Sequence, residues 1–283
     1  MKDLRQPMPL FSVIIPTFNH ADTIIWALKS VQEQSMQDFE VIVAGDGVPD
    51  RTRDIMKRFC AEDDRIRFID NPKDAGKGET QRHNAVLASN GVYIAYLGDD
   101  DVWHSRHLEV MRSGMEETGA DFCNSLNFVV DGAKEASILT GDIGKKFCRD
   151  TLLNLKFNFV GTSTVVHKRS SYHQLPRGWE PAPKGVWMDL HMWRQWFKEA
   201  NMHFASIPQV TTVHLDSPGR DDMSVEDRAE ESEYWLNIVR DQPVFADLEI
   251  QALRKSAMNS GCYRPVMHHF QHLYQKAQTE LRA

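Results

Sequence analysis

The sequence predicts an α/β domain built on a mostly parallel sheet flanked by helices, with a helical extension at its C-terminal end. Two observations carry this. Short apolar, β-branched runs alternate with segments whose apolar residues recur at three- and four-residue spacing. Each apolar run is also followed at once by small or polar residues, as where strands feed the loops of a ligand crevice.

The first run is Phe11 to Pro16 (FSVIIP), closed by Asn19 and His20. A helix follows, with Ile24, Ala27, Leu28 and Val31 on one face. Glu40 to Ala44 (EVIVA) reads as the second strand and completes a βαβ unit. Arg53 to Cys60 then reads as helix, Arg65 to Ile69 as strand, Thr80 to Ala88 as helix and Tyr93 to Leu97 as strand. A helix from about Ser105 to Glu117 leads to a strand over Asp121 to Val130. Asp131 to Cys148 is polar and Gly-containing, a loop or short hairpin. Thr162 to His167 and Gln209 to His214 read as strands around an aromatic-rich helix, Trp187 to Phe197. Asp216 to Val225 has the composition of a mobile loop, a candidate lid over bound ligand. The segment from Glu226 to Ala283 is mostly helical and carries no separate catalytic motif.

The chain has 283 residues, 41% hydrophobic and 26% charged, which excludes disordered and fibrous classes. A net charge of −7 removes the basic balance expected of a nonspecific nucleic-acid binder, so no nucleic-acid partner is expected. The start, MKDLRQPMPL, has no apolar signal core, and SVIIP and VYIAYL are too short to cross a bilayer. A soluble cytoplasmic protein is expected, with peripheral membrane contact compatible. Cys60, Cys123, Cys148 and Cys262 are too widely separated for a disulfide scaffold or a CxxC zinc site. His268 and His272 have i, i+4 spacing but no HExxH pattern or third ligand, and are read as packing or surface residues.

The densest chemistry is Asp99, Asp100 and Asp101, directly after the fourth strand. Adjacent like charges are costly unless solvent or a cation compensates, and oxygen ligands suit Mg2+ or Mn2+, which commonly bridge carboxylates to substrate phosphates. The alternative is an acidic turn opening the helix near Ser105. The polar loops Pro16-Thr17-Phe18-Asn19 and Gly45-Asp46-Gly47 leave the same sheet edge and favour a site. DAGKGET lacks the GxxxxGK[ST] spacing of a phosphate loop.

SVIIPTFN, EVIVAGDGVPDRT, TQRHNAVLASNGVYIAYLGDDDVW and GVWMDLHMW together resemble the family 2 glycosyltransferases in order and approximate spacing. The resemblance implies a GT-A fold and inverting sugar transfer from a nucleotide donor, a chemistry of polysaccharide biosynthesis. It implies that Pro16, Thr17 and Asn19 line the nucleoside site and that Asp46 faces the base, accepting a ring N–H. A UDP-sugar is favoured, although guanine also presents a ring N–H. Arg82 approaches the donor phosphates. Asp100 matches the main metal ligand, Asp99 a position near ribose or metal, and Asp101 a second-choice ligand. His214 matches a region where related enzymes bring a histidine to the metal. Asp189 matches the catalytic carboxylate, a general base for the acceptor hydroxyl.

The sequence departs from the family pattern at Gly45 and Gly98, where an acidic residue is usual. Each assigned residue also has a plain structural reading: a turn Asp at Asp46, a solvated helix Arg at Arg82, a helix-start Asp at Asp189 and a half-buried strand His at His214. His191, two residues from Asp189, is read as structural, and core packing is expected for most of Trp179, Trp187, Trp193 and Trp196.

The expected organisation is a GT-A catalytic domain over 1–225, with its nucleotide-binding half at about 10–103 and its acceptor half at 104–225, followed by a helical extension over 226–283. The sequence is equally compatible with a saccharide, a lipid-linked saccharide, a protein or a small molecule as acceptor. Two competing readings are a sugar-1-phosphate nucleotidylyltransferase, disfavoured because SVIIPTFNHAD lacks a Gly-rich basic loop, and a degenerate carbohydrate- or nucleotide-binding module, motivated by Gly45 and Gly98.

Overall fold

The structure is a computed structural model that describes residues 8–130, 135–139, 141–215, 220 and 222–259. Its first half alternates strand and helix: β1 (Phe11–Thr17), α1 (Ile24–Gln32), β2 (Phe39–Asp46), α2 (Asp50–Glu62), β3 (Ile66–Asn71), α3 (Glu79–Leu87) and β4 (Tyr93–Tyr96). The strands lie in the order β3-β2-β1-β4, all parallel. Thr17 lies opposite Gly45, and Asp46 opposite Asn71, so the carboxyl ends of these strands are level and their loops open on one edge.

Every residue of β1 is buried, as a parallel strand covered on both faces must be. Phe11, Val13 and Ile15 join Ile24, Ala27, Leu28 and Val31 of α1 in one apolar cluster. Ile14 turns the other way, into a second cluster with Ala85 and Val86 of α3.

The second half contributes β5 (Val102–Trp103), α4 (His107–Thr118), β6 (Phe122–Val130), β7 (Ala136–Ile138), α5 (Lys146–Asn154), a 3-10 turn (Thr162–Thr164), β8 (Val165–Lys168), α6 (Arg169–Tyr172), α7 (Met188–Phe197) and β9 (Phe204–Leu215). The sheet continues β4-β8-β6-β9-β5, with β7 on β6. It becomes mixed here, because β8 runs antiparallel to both β4 and β6 while β6 and β9 are parallel. The expected strand over Thr162 to His167 thus begins as a 3-10 turn, and the polar Asp131 to Cys148 segment contains both β7 and the start of α5.

Two C-terminal helices, α8 (Val225–Arg240) and α9 (Gln242–Asn259), close the described chain. Ser224 caps α8, its hydroxyl accepting the Asp227 N–H at 3.0 Å. Trp235, Leu236, Val239, Phe245 and Leu253 pack against Val102, Phe128, Val213 and Leu215 of the sheet in a third apolar cluster. Cys262, His268, His272 and half of the Asp216 to Val225 loop lie outside the described residues. No helix among the described residues is long and apolar enough to cross a membrane.

Candidate active site

The acidic triplet leaves β4 and is pinned at once, the Gly98 N–H donating to Ser163 Oγ at 2.8 Å. A Cβ on Gly98 would lie 3.0 Å from Asp101 Oδ2, so a side chain there would press on the Asp101 carboxylate. The three carboxylates then divide. Asp99 accepts from His20 Nδ1 at 2.9 Å, and Asp100 accepts from Arg220 Nη2 at 2.5 Å. Asp101 turns inward, where it accepts from the Ser163 hydroxyl, from the Leu215 N–H at 3.1 Å and from His214 Nδ1 at 3.0 Å.

The charges respond to this packing. The hydrogen bond and negative charge of Asp99 raise the His20 imidazole to about 9. Burial, together with the charges of Asp101 and Asp99, pushes the Asp100 carboxyl up, against the opposing charges of Arg220 and His20. Burial also opposes ionisation of Asp101, but the charge and hydrogen bond of His214, with those of Ser163 and Leu215, outweigh it and hold this carboxyl down.

Among the described residues, the group able to hold a metal ion is His20, Asp99 and Asp100, whose ligand atoms all lie within 4.8 Å of one another. Two carboxylates and one imidazole suit a divalent cation, and the crowded negative charge around Asp100 favours one. The structure does not bring Asp101 and His214, both expected at the metal, into this group. They are bonded to each other on the inner side of the loop, where β9 pairs with β5 through Val102 and Val213.

Two connected concavities flank the acidic loop. The smaller, about 340 Å³, is lined by Pro16, Thr17, Phe18, Asn19, Asp46 and Lys73, among others. The expected nucleoside-site residues therefore meet in one place. Thr17 is buried, and its hydroxyl has no hydrogen-bond partner among the described residues. Asp46 accepts the Asp74 N–H at 2.7 Å and Lys73 Nζ at 2.5 Å.

The larger cleft, about 880 Å³, takes in Asp99, Asp100, Asp101, His214 and Asp189. Asp189 stands in the first turn of α7, where it accepts from its neighbour's Leu190 N–H and from Asn158 Nδ2, each at 2.7 Å. Burial raises its carboxyl above the ordinary range, against these donors and the charges of His214 and Arg82.

Arg82 lines both concavities. Its guanidinium donates to the Lys77 carbonyl at 2.8 Å and faces the Trp179 ring at 5.3 Å, while its buried Nε has no hydrogen-bond partner among the described residues. Burial pushes its pKa down, against the charges of Glu79, Asp99 and Asp189. Arg82 is thus a buried cation between the acidic loop and Asp189, with donor capacity to spare.

Trp179, Trp193 and Trp196 are core residues, whereas Trp187 is 50% exposed on the wall of the larger cleft. His191 Nε2 donates to the Glu180 carboxylate at 3.1 Å. His20, Lys73, Asn158, Ser163 and Arg220 are site residues that sequence reasoning did not assign. Of these, only His20 carried a signal, its place in the loop after β1.

Residues 12–172 match the profile of glycosyl transferase family 2. The chain belongs to that family. Within it, this glycosyltransferase-family chain is 34% identical over 167 residues to the GalNAc(5)-diNAcBac-PP-undecaprenol beta-1,3-glucosyltransferase of Campylobacter jejuni, a match covering 58% of this chain and 53% of that protein. It is 32% identical over 113 residues to the UDP-Glc:alpha-D-GlcNAc-diphosphoundecaprenol beta-1,3-glucosyltransferase WfgD of Escherichia coli, covering 40% of this chain and 44% of that protein. The matched regions thus span about half the length of these relatives. In structure it is similar to residues 1–349 of Staphylococcus aureus TarS in complex with UDP-GlcNAc, with a TM-score of 0.60, 16% identity and coverage of 92% of this chain and 78% of that one. The fold of this family 2 chain is GT-A.

Proposed function

We propose that this protein transfers a sugar from a UDP-sugar to an acceptor hydroxyl with inversion. The observation that carries the reading is the shared cleft in which the buried Arg82 stands between the Asp99–Asp100 carboxylates and Asp189. In the proposed reaction Asp189 takes the proton of the acceptor hydroxyl while its oxygen bonds to the anomeric carbon and the bond to the nucleoside diphosphate breaks. A single displacement of this kind inverts the anomeric centre. The Asn158 bond orients Asp189, and Arg82 offers its Nε–H and positive charge to the departing diphosphate.

His20, Asp99 and Asp100 are the residues proposed to hold Mn2+ or Mg2+. When bound there, the cation supplies Lewis-acid charge to the leaving group. The named activities of the two bacterial relatives support glucose transfer to diphosphoundecaprenol-linked saccharides, and WfgD's supports UDP as the nucleotide. On that support the acceptor is a lipid-linked saccharide and the protein works peripherally at a membrane, with the exposed Trp187 as a face on which an acceptor sugar can stack.

The test is UDP release from UDP-glucose and UDP-GlcNAc with Mn2+ and with EDTA, comparing the wild type with Asp189→Asn. Metal-dependent release that Asp189→Asn abolishes supports the reading. Nucleotide binding without release from either donor, with or without a lipid-diphosphate saccharide, favours a binding module instead.

A further inference from the structure

We infer that Trp179 is a positioning residue for the reaction: its indole face sets the Arg82 guanidinium toward the donor diphosphate, and the Tyr172 hydroxyl fixes that face to the helix carrying Arg82. The inference rests on the role proposed for Arg82 above. A buried cation needs such a device, because a guanidinium held at one point can pivot about it.

Arg82 sits in α3 and is only 7% exposed. The carboxylates that attract it, Glu79, Asp99 and Asp189, act through charge, and its hydrogen bond runs from Nη1 to the Lys77 carbonyl at 2.8 Å. That bond alone leaves the plane of the guanidinium undetermined. The Trp179 ring supplies the missing constraint, with Arg82 Cζ lying over it at 5.3 Å from the centroid. A cation over an aromatic face is attracted by the ring quadrupole, most strongly where water is excluded, and tryptophan offers the strongest such face. With Nη1 and the ring face engaged, the buried Nε keeps no protein acceptor among the described residues, and Arg82 lines both concavities. The Nε–H is thus the group left for the diphosphate.

The Trp179 face is itself locked. Trp179 is 2% exposed and meets Tyr96 and Trp193 edge-on, at 77° and 71°. Its backbone N–H donates to Tyr172 Oη at 2.9 Å, and the same hydroxyl bonds His83 Nδ1 at 2.8 Å. His83 is the neighbour of Arg82 in α3, so one hydroxyl ties the indole to the helix that carries the cation. Gly178 makes the approach possible: it has φ +81°, and a Cβ there would collide with Tyr172 Oη and lie 2.9 Å from His83 Nδ1. The Gln195 amide grips Gly178 on both sides, accepting its N–H at 3.1 Å and donating to its carbonyl at 2.7 Å. Packing a tryptophan into a core requires none of these bonds. The chain runs on from Trp179 through Pro181 to Asp189 along the wall of the larger cleft, so the lock also joins that wall to α3.

The test is a double-mutant cycle read in UDP affinity, by calorimetry of the full chain in Mg2+. Arg82→Met, Trp179→Leu and the double variant are titrated beside the wild type and Trp179→Phe, each protein first shown by its melting curve to be folded. Arg82→Met is expected to weaken UDP binding by about tenfold or more, and Trp179→Leu by roughly the factor of ten that a desolvated cation–π contact carries. The double variant is expected to bind no more weakly than Arg82→Met alone, because the ring acts only through the guanidinium. Trp179→Phe keeps an aromatic face and is expected to stay within about threefold of the wild type. If Trp179→Leu does not fold, Tyr172→Phe replaces it in the cycle, with the same non-additivity expected around a loss of about threefold. Losses that multiply overturn the inference, as do wild-type affinity in Trp179→Leu or Tyr172→Phe and a Trp179→Phe protein as weak as Trp179→Leu. Each of these leaves Arg82 and the donor reading intact. Wild-type affinity in Arg82→Met removes Arg82 from the diphosphate and the inference with it, and a wild type that does not bind UDP overturns the donor reading as well.

Discussion

Arg220, only 1% exposed along its side chain, donates to the Asp100 carboxylate at 2.5 Å while its other terminal nitrogen lies 3.7 Å from Glu231 of α8. The acidic loop and the C-terminal helices are therefore joined through one buried cation. Replacing Arg220 with Met removes this cation from beside two carboxylates, and breaking such a buried pair costs about 3–5 kcal/mol. Arg220→Met is expected to melt well below the wild type. Saturating Mn2+ is expected to restore more of the loss in the variant than it adds to the wild type, because a cation at Asp100 replaces part of the missing charge. Equal thermal shifts in the two proteins would separate Asp100 from the metal.

Within the triplet, Asp101 and Asp99 are expected to fail differently. Asp101 is bonded to Ser163, Leu215 and His214 and holds β9 against the loop, so Asp101→Asn loses acceptors for buried donors. A loss of about 1–3 kcal/mol in urea unfolding is expected, with or without EDTA. Asp99 faces His20 in the proposed cation group, so Asp99→Asn is expected to retain more stability and to lose the Mn2+ dependence of nucleotide binding. The reverse pattern would put the cation on Asp101.

The parallel half was legible because its signals are local: buried strands are continuous apolar runs, and each ends at the loop that carries Pro16, Asp46 or Asp99. The remainder depends on pairings that no local pattern encodes. β5 has only two residues, yet its pairing with β9 brings His214 to Asp101, 113 positions away. α5 buries only Leu152 fully, so it lacks the apolar stripe that announces a helix. Asn158 reaches Asp189 from 31 residues upstream, and Arg220 reaches Asp100 across 120. Lys73 directly precedes the DAGKGET segment, and its carboxylate partner Asp46 emerges only once β2 and β3 are paired.

Two buried histidines set an acid limit on stability. His107 donates to or accepts from Thr211 Oγ1 at 2.8 Å and stacks on Trp103, and His167 bonds Tyr96 Oη at 2.8 Å. Burial lowers both from 6.5 to about 3. Between those values the unfolded chain binds protons that the folded chain refuses, so stability falls as pH falls. Their neutral forms contribute fully above pH 6.5, and the contribution shrinks by about 1.4 kcal/mol per pH unit for each histidine on the way down to about 3. His167→Gln is expected to flatten the slope of unfolding free energy against pH by about one proton across this window. An unchanged slope would remove His167 from the acid limit.

Asp189 is the proposed general base, and Asn158 tests whether it acts as one. Asp189→Asn is expected to lower the turnover number by about 10²- to 10⁴-fold while leaving the UDP dissociation constant near the wild-type value. Because burial raises the Asp189 carboxyl, activity is expected to fall on the acid side as this group takes up its proton, at a pH above the ordinary carboxylate value of 3.8. The Asn158 Nδ2–H donates to the ionised carboxylate and so favours it. Asn158→Ala removes that donor, raises the carboxyl further and is expected to move the acid limb of the turnover-against-pH profile upward. A purely structural asparagine would lower activity at every pH and leave the limb in place, so the position of that limb, measured from pH 4 to pH 8 (roughly the range open to a raised carboxylate), decides between a base held by Asn158 and a carboxylate that merely caps α7.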